Sequence, residues 1–316
     1  MRLKGHLGAD AALVLVTLVW GLTFVTAKDV LEHWPPLAYL ALRLGFAALV
    51  LVALFPRQLV EAGRAEWRAG ATLGLLFGLS FSGQAFGLVL TTPSRSAFVT
   101  GLTTPLVPLV AFVLLKARPS RENLLGVVLA STGGVLFLVP REGGTVNAGD
   151  LITLCCTTLF AAHLTYMSVY AQRFDVRQLT VLQIMVAAAL AVLVWLGVNA
   201  YVAMRGTEAL PSMLAREAGP LVWSGRVLWQ LGFLALVATV ANFLMWTWAQ
   251  SRMSATHAAI IFSLEPVFAT LFAVLVRGAG EWTGGVRATL GAMLILCGVV
   301  VSELRLGRRE AVVVNQ

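Results

Sequence analysis

The chain has 316 residues, 59% of them hydrophobic and only 12% charged, with a mean hydropathy of +0.85. An ordinary soluble domain is about a quarter charged, and a soluble core cannot hide this much apolar side chain without large exposed patches, so a soluble fold is excluded and lipid is the expected solvent. The net charge of +8 does not point to nucleic acid, because Lys and Arg fall almost entirely between the apolar runs, where they orient membrane spans.

A span needs about 20 mostly apolar residues. In chain order such runs cover Ala11–Lys28, Leu37–Phe55, Ala69–Val89, Ala97–Leu115, Asn123–Val139, Asp150–Tyr170, Leu179–Val198, Leu228–Gln250, Ala255–Val276 and Arg287–Ser302. The first has the basic flank of a secretory signal but runs on without a small-residue cleavage site, so it is expected to stay as a span. The expected fold is all-α and integral to the membrane, with ten transmembrane helices. With the N-terminus inside, the cytoplasmic segments gather Arg57, Arg64 and Arg68, then Lys116, Arg118 and Arg121, then Arg305, Arg308 and Arg309. Both termini are therefore expected to be cytoplasmic and the membrane to be the cell inner membrane. The segment at about 201–227 is expected to be an external loop, with a short interfacial helix anchored by Trp223 and Trp229, and 304–316 to be a cytoplasmic tail.

An internal repeat recurs at about 160 residues: SRSAFVTGLTTPLVPLVAFVLL from Ser94 aligns with ATHAAIIFSLEPVFATLFAVLV from Ala255, pairing Pro105 with Pro266. Two halves follow, 1–140 and 149–303, each of five helices. An odd number inserts the second half upside down, so the expectation is two inverted five-helix repeats around a central cavity. Gly70, Gly74, Gly78 and Ser82, four apart in the third run, and Gly126, Ala130 and Gly134 in the fifth, are expected to be close-packing faces.

Trp20-Gly21 with Phe24 in the first run, Arg43 within LALRLGFAALVL, Ser254-Ala255 with Ala258 and Leu264-Glu265-Pro266-Val267 in the ninth, and TLGAMLILCGVVVS in the last together resemble the drug/metabolite transporter superfamily, EamA branch. The resemblance covers nearly the whole chain. It implies a ten-helix carrier in which helices one to four and six to nine surround the cavity, with five and ten at the periphery. It also implies flux of small organic metabolites, amino acids and derivatives prominent among them, often outward. Thr23 stands where many relatives carry Asn, and the loop at 201–227 is longer than usual.

Ionisable and polar side chains inside spans are costly, so each is a functional candidate. Arg43 suits a carboxylate in fork geometry, or else braces helix carbonyls. Glu265, directly before Pro266, can exchange a proton or bind an ammonium, or else is tied to the backbone at a kink; Pro105 and Pro266 are expected to interrupt their helices. His163 shares one face with Tyr166 and is a second proton-coupling candidate, or else bonds a neighbouring helix. Gln84 and Asn242 suit an amide, hydroxyl or carboxyl, or bond across helices. Trp20, Thr23, Phe24 and Trp246 complete the candidate substrate-binding set, with Trp248 a further aromatic. Cys155, Cys156 and Cys297 read as small hydrophobes.

No phosphate loop, GxSxG, HExxH or paired-cysteine pattern occurs, so no catalytic residue, metal or cofactor is expected, nor is nucleic acid a partner. The expected partners are a small-molecule substrate, the lipid bilayer and, as a candidate co-substrate, protons; oligomeric state is left open. The expected function is secondary export of amino acids or similar metabolites by alternating access. Export of lipophilic cations is the alternative, and a membrane scaffold or lipid-processing enzyme the reading from another class.

Overall fold

The computed structural model describes residues 3–138, 147–250, 261–262, 264–282 and 285–303. Its longer helices are α1 (Leu3–His33), α2 (Pro36–Leu54), the short α3 (Pro56–Val60), α4 (Arg64–Leu90), α5 (Pro93–Gly101), α6 (Thr103–Leu115), α7 (Arg121–Leu138), α8 (Ala148–Tyr170), α9 (Val176–Arg205), α10 (Gly225–Gly232), α11 (Asn242–Gln250), α12 (Glu265–Arg277) and α13 (Gly285–Glu303). No strand occurs among the described residues, as hydrocarbon demands of a chain that must satisfy its backbone internally. Helix starts carry the residues that supply missing partners or need none. Pro36 and Pro93 sit in the first turns of α2 and α5, while Asn147, Asp175 and Ser224 accept from the N–H of Gly149 (2.7 Å), Arg177 (2.8 Å) and Val227 (3.2 Å).

Seven stretches among the described residues are long and apolar enough to cross a bilayer: Gly8–His33, Pro36–Leu54, Arg64–Leu90, Pro93–Leu115, Ala148–Tyr170, Val176–Arg205 and Gly225–Ala249. Gly285–Val301 is apolar but shorter. The expected fourth run is two helices, broken at Leu102. The eighth changes pitch: Phe233–Ala241, between α10 and α11, is a π-helix in which Thr239 Oγ1 donates to Leu234 O five residues back, at 2.8 Å. Residues 251–260, with the Ser254, Ala255 and Ala258 of the family pattern, and the tail 304–316 lie outside the described residues.

Lipid gives helices no hydrophobic reason to associate, so close backbone approach must do it. The α4 glycine face meets α9: a Cβ on Gly74 would lie 2.6 Å from Gln183 O, and one on Gly78 3.2 Å from Ala187 Cα. The second such seam joins α7 to α13, where a Cβ on Gly133 would sit 2.6 Å from Gly291 O and one on Gly298 2.6 Å from Gly126 O. Gly133 rather than the expected Gly134 belongs to this seam, since Gly134 faces Leu102 at 3.5 Å. Helix α4 also packs on α8, α2 on α9, and α1 on α12.

The segment after α9 departs from expectation. It forms 3₁₀ turns at Thr207–Ala209 and Ser212–Ala218 rather than an interfacial helix. Trp223 stacks edge-on against the buried Trp34, ring centroids 4.6 Å apart, while Trp229 belongs to α10 and is exposed.

The α7–α13 seam makes a direct prediction. Gly291→Val should force the helices apart and lower stability by about 1–3 kcal/mol, read as a lower thermal unfolding midpoint in detergent. An unchanged midpoint would mean the seam carries no stability.

Candidate functional site

Between these helices lies a cavity of about 170 Å³, far above the roughly 10–15 Å³ that holds one water. Helix α1 contributes Trp20, Thr23 and Phe24, and α8 contributes Phe160, His163 and Leu164. Both triplets run i, i+3, i+4, the spacing of one helical face. Phe77, Phe81 and Gln84 of α4 line another side, and Phe243 and Trp246 of α11, with Phe262, the opposite one. The Trp20 ring sits 5.8 Å from the rings of Phe243, Trp246 and Phe262, an apolar box with edge-to-face and stacked contacts.

The helix breaks meet at this cavity. Gly101 and Thr104 flank the α5–α6 break, and Glu265 and Pro266 open α12; all four line the space. A Cβ on Gly101 would lie 3.1 Å from Pro266 Cγ, so the two interruptions face each other. Irregular backbone survives at membrane depth only where it lines a cavity or is covered by protein.

Arg43 is the cation of the site and is only 4% exposed. Its Nη1 donates to Tyr39 Oη at 2.6 Å, its Nε donates to Thr239 Oγ1 at 3.2 Å, and the guanidinium lies 4.6 Å from the centre of the Phe81 ring. Tyr39 is one turn earlier on α2, and Thr239 is presented by the π-helical turn, so two edges of the fork are fixed from two elements. Among the described residues no carboxylate pairs with it. Glu265, at the first turn of α12, lines the same cavity, and among the described residues no side chain or backbone group hydrogen-bonds to its carboxyl. Trp246, 2% exposed, likewise has an Nε1–H without an acceptor among the described residues. An unpaired charge or polar atom at this depth is expensive, which makes these three groups, with the Thr103 hydroxyl that also lacks a partner, the open valences of the cavity among the described residues.

Three other polar residues of the lining are already engaged. Gln84 Nε2 donates to Thr100 Oγ1 at 3.0 Å, and Thr23 Oγ1 turns back to Trp20 O at 2.6 Å. His163 Nε2 lies 2.8 Å from Gln183 Oε1, which as an acceptor makes Nε2 the donor.

A family model described as the EamA-like transporter family matches residues 7–139 and 147–304. The chain belongs to the EamA-like transporter family. It is similar to an uncharacterized transporter of Archaeoglobus fulgidus, 28% identical over 300 residues that cover 95% of this chain and 87% of that protein. It is also similar to a probable amino-acid metabolite efflux pump of Salmonella typhimurium, 25% identical over 296 residues and 92% of each chain. One solved crystal structure shares the fold, with a TM-score of 0.62 at 20% identity over 93% of this chain and 96% of that one. The EamA-like chain is thus a multi-span membrane protein of a transporter family.

Eight of the residues singled out from sequence line the cavity: Trp20, Thr23, Phe24, Arg43, Gln84, His163, Trp246 and Glu265. Two do not. Tyr166 stacks on Tyr170 away from it, with centroids 5.8 Å apart, and Asn242 is spent on helix packing, its Nδ2 donating to Val16 O at 3.1 Å. Trp248 faces outward. Pro266 lines the cavity; Pro105 is buried three residues past the break at Leu102 and does not. The family's peripheral last helix is a further correction, because Ile295, Leu296 and Val299 of α13 form part of the wall. Phe77 and Phe81 were detectable, since they lie at i−7 and i−3 from Gln84 on α4. Thr239 was not, because a π-turn shifts the helical phase that sequence spacing assumes.

The anchoring of Arg43 is testable. Tyr39→Phe and Thr239→Val each remove one acceptor from a buried guanidinium, and hydrogen bonds to charged groups are worth about 1.5–3 kcal/mol. Each variant should unfold at lower temperature by that order, and a neutral result in both would mean Arg43 is not held as described.

Proposed function

We propose that the chain is a secondary exporter of small zwitterionic metabolites, amino acids or their derivatives, working by alternating access around the central cavity. The observation that carries this reading is the pair of ionisable groups on one aromatic-walled space, Arg43 and Glu265, neither of which has an oppositely charged partner among the described residues. A carboxylate would complete the free edge of the Arg43 fork, an ammonium would answer Glu265, and an apolar side chain would lie among Trp20, Phe243 and Phe262. The name given to the Salmonella relative supports the same substrate class.

In this proposal residues 1–140 and 149–303 are two inverted five-helix halves, with the termini cytoplasmic in the inner membrane. The matching i, i+3, i+4 triplets on α1 and α8 support it, as do the helix interruptions at Leu102 and before Glu265-Pro266. So does helix contact across the halves, with α1 on α12 answered by α8 on α6. The family membership leaves the scaffold and lipid-processing readings without support. The aromatic wall favours lipophilic cations as the second reading, with Glu265 as counter-charge.

Flux in proteoliposomes decides between them. Saturable amino-acid efflux is expected, with Arg43→Gln weakening apparent affinity roughly tenfold or more, as loss of a charged hydrogen bond implies. Glu265→Gln should flatten the dependence of flux on pH if that carboxyl carries the coupled proton. Saturable flux of lipophilic cations alone, insensitive to Arg43→Gln, would overturn the zwitterion assignment.

A further inference from the structure

The loop after α9 does more than span a gap. Arg216 and Glu217, adjacent in the 3₁₀ turn Ser212–Ala218, grip the two sides of the α1–α2 turn. Arg216 Nη2 donates to Leu31 O, in the last turn of α1, at 2.6 Å, and Leu37 N, in the first turn of α2, donates to both Glu217 oxygens at 3.1 and 3.2 Å. A cation at the C-terminus of α1 suits that helix's dipole, and the nearly buried Glu217 carboxyl accepts from a first-turn N–H of α2 that the helix itself cannot satisfy. Trp34 Nε1, within the turn, donates to Val222 O at 2.7 Å, so the loop holds the turn a third time.

This turn closes one end of the cavity. A smaller pocket shares Thr23, Phe24, Arg43, Phe81 and Gln84 with the main one and runs up to Leu31 and Leu88, beneath the residue whose carbonyl Arg216 holds. We propose that the Arg216–Glu217 pair is a latch that keeps α1 and α2 shut over this end of the pathway, and that it loosens when Glu217 is ionised.

Burial pushes the Glu217 carboxyl up to about 7 from the ordinary 4.5, against the opposing pull of Leu37 N–H and Arg216. The neighbouring charges are otherwise committed or uninvolved. Lys28 of α1 donates to the carbonyls of Leu88, Val89 and Thr91. Asp29 takes Arg226 and Gln230, Glu32 takes Arg277, and His33 Nδ1 lies against Asp29 O. Tyr39 and Arg43 of α2 hold each other. Of the described charged groups Arg216 is the one that acts on Glu217; Arg205 of α9 and Glu208 of the preceding turn do not. Because the docked carboxyl holds its proton more tightly than a free one, docking is strongest below pH 4.5. It weakens as pH rises, and this contribution is lost once pH passes about 7.

Hydrogen exchange on the full chain in lipid nanodiscs reads the latch without substrate, so its failure is separable from failure of the transport proposal. Protection factors for peptides covering Leu37 and Leu214–Val222, corrected for intrinsic exchange, should fall at least tenfold between pH 5.5 and 8.5. Glu217→Gln should stay protected throughout and Arg216→Ala should be open throughout. Protection in the unmodified chain that does not change with pH would overturn the proposal even if a variant fails to fold. So would a Glu217→Gln curve that follows the unmodified one.

Discussion

Hydrocarbon offers no partner to a peptide N–H or C=O, and most of this architecture follows from that constraint. The chain answers with helices almost everywhere and lets the helical ladder lapse where protein can shelter it. The α5–α6 break and the start of α12 are such places, and they meet across Gly101 and Pro266 beside the cavity. The interruption and the cavity therefore depend on each other. Without the cavity the loosened backbone would be too costly, and without the breaks Thr104 and Glu265 would be ordinary mid-helix residues.

The same medium governs association. Since lipid tails are as apolar as the helices, the α4–α9 and α7–α13 seams rest on backbone contact through Gly74, Gly78, Gly133, Gly291 and Gly298. Seams of this kind are tight and leave little space, so the aromatic side chains of α1, α4, α8 and α11 are free to frame the open volume. Arg43 sits between the two regimes. It is held by Tyr39 and by the π-turn that presents Thr239, while its remaining donors have no carboxylate among the described residues.

Much of this was legible in the sequence because composition and run length report directly on the solvent. The apolar runs marked most of the helices, and the costliness of polar residues in lipid singled out Arg43, His163 and Glu265 without any structure. What escaped notice depended on phase. The π-turn moves Thr239 toward Arg43, and the 3₁₀ turns dock Arg216 and Glu217 on α1 and α2, neither of which leaves a period in the sequence. Asn242 misled for a related reason, since a polar residue in a span is equally needed to join helices, and only its bond to Val16 O tells the uses apart.

Among the described residues the ion pairs outside the cavity gather at one end of the helices. At the end where α1 terminates, Lys28 ties α1 to the last turn of α4, and Arg277 ties α12 to Glu32 at 2.5 Å and to Glu281 at 2.9 Å. Arg95 pairs with the fully buried Asp150, which also accepts from Thr91 Oγ1 at 2.6 Å, joining α5 to α8. A buried pair of this kind adds little net stability, because desolvation offsets attraction, but removing one partner leaves a stranded charge. The smaller pocket reaches Leu31 and Leu88 beside this network, so charged contacts and packing meet at the same end of the cavity.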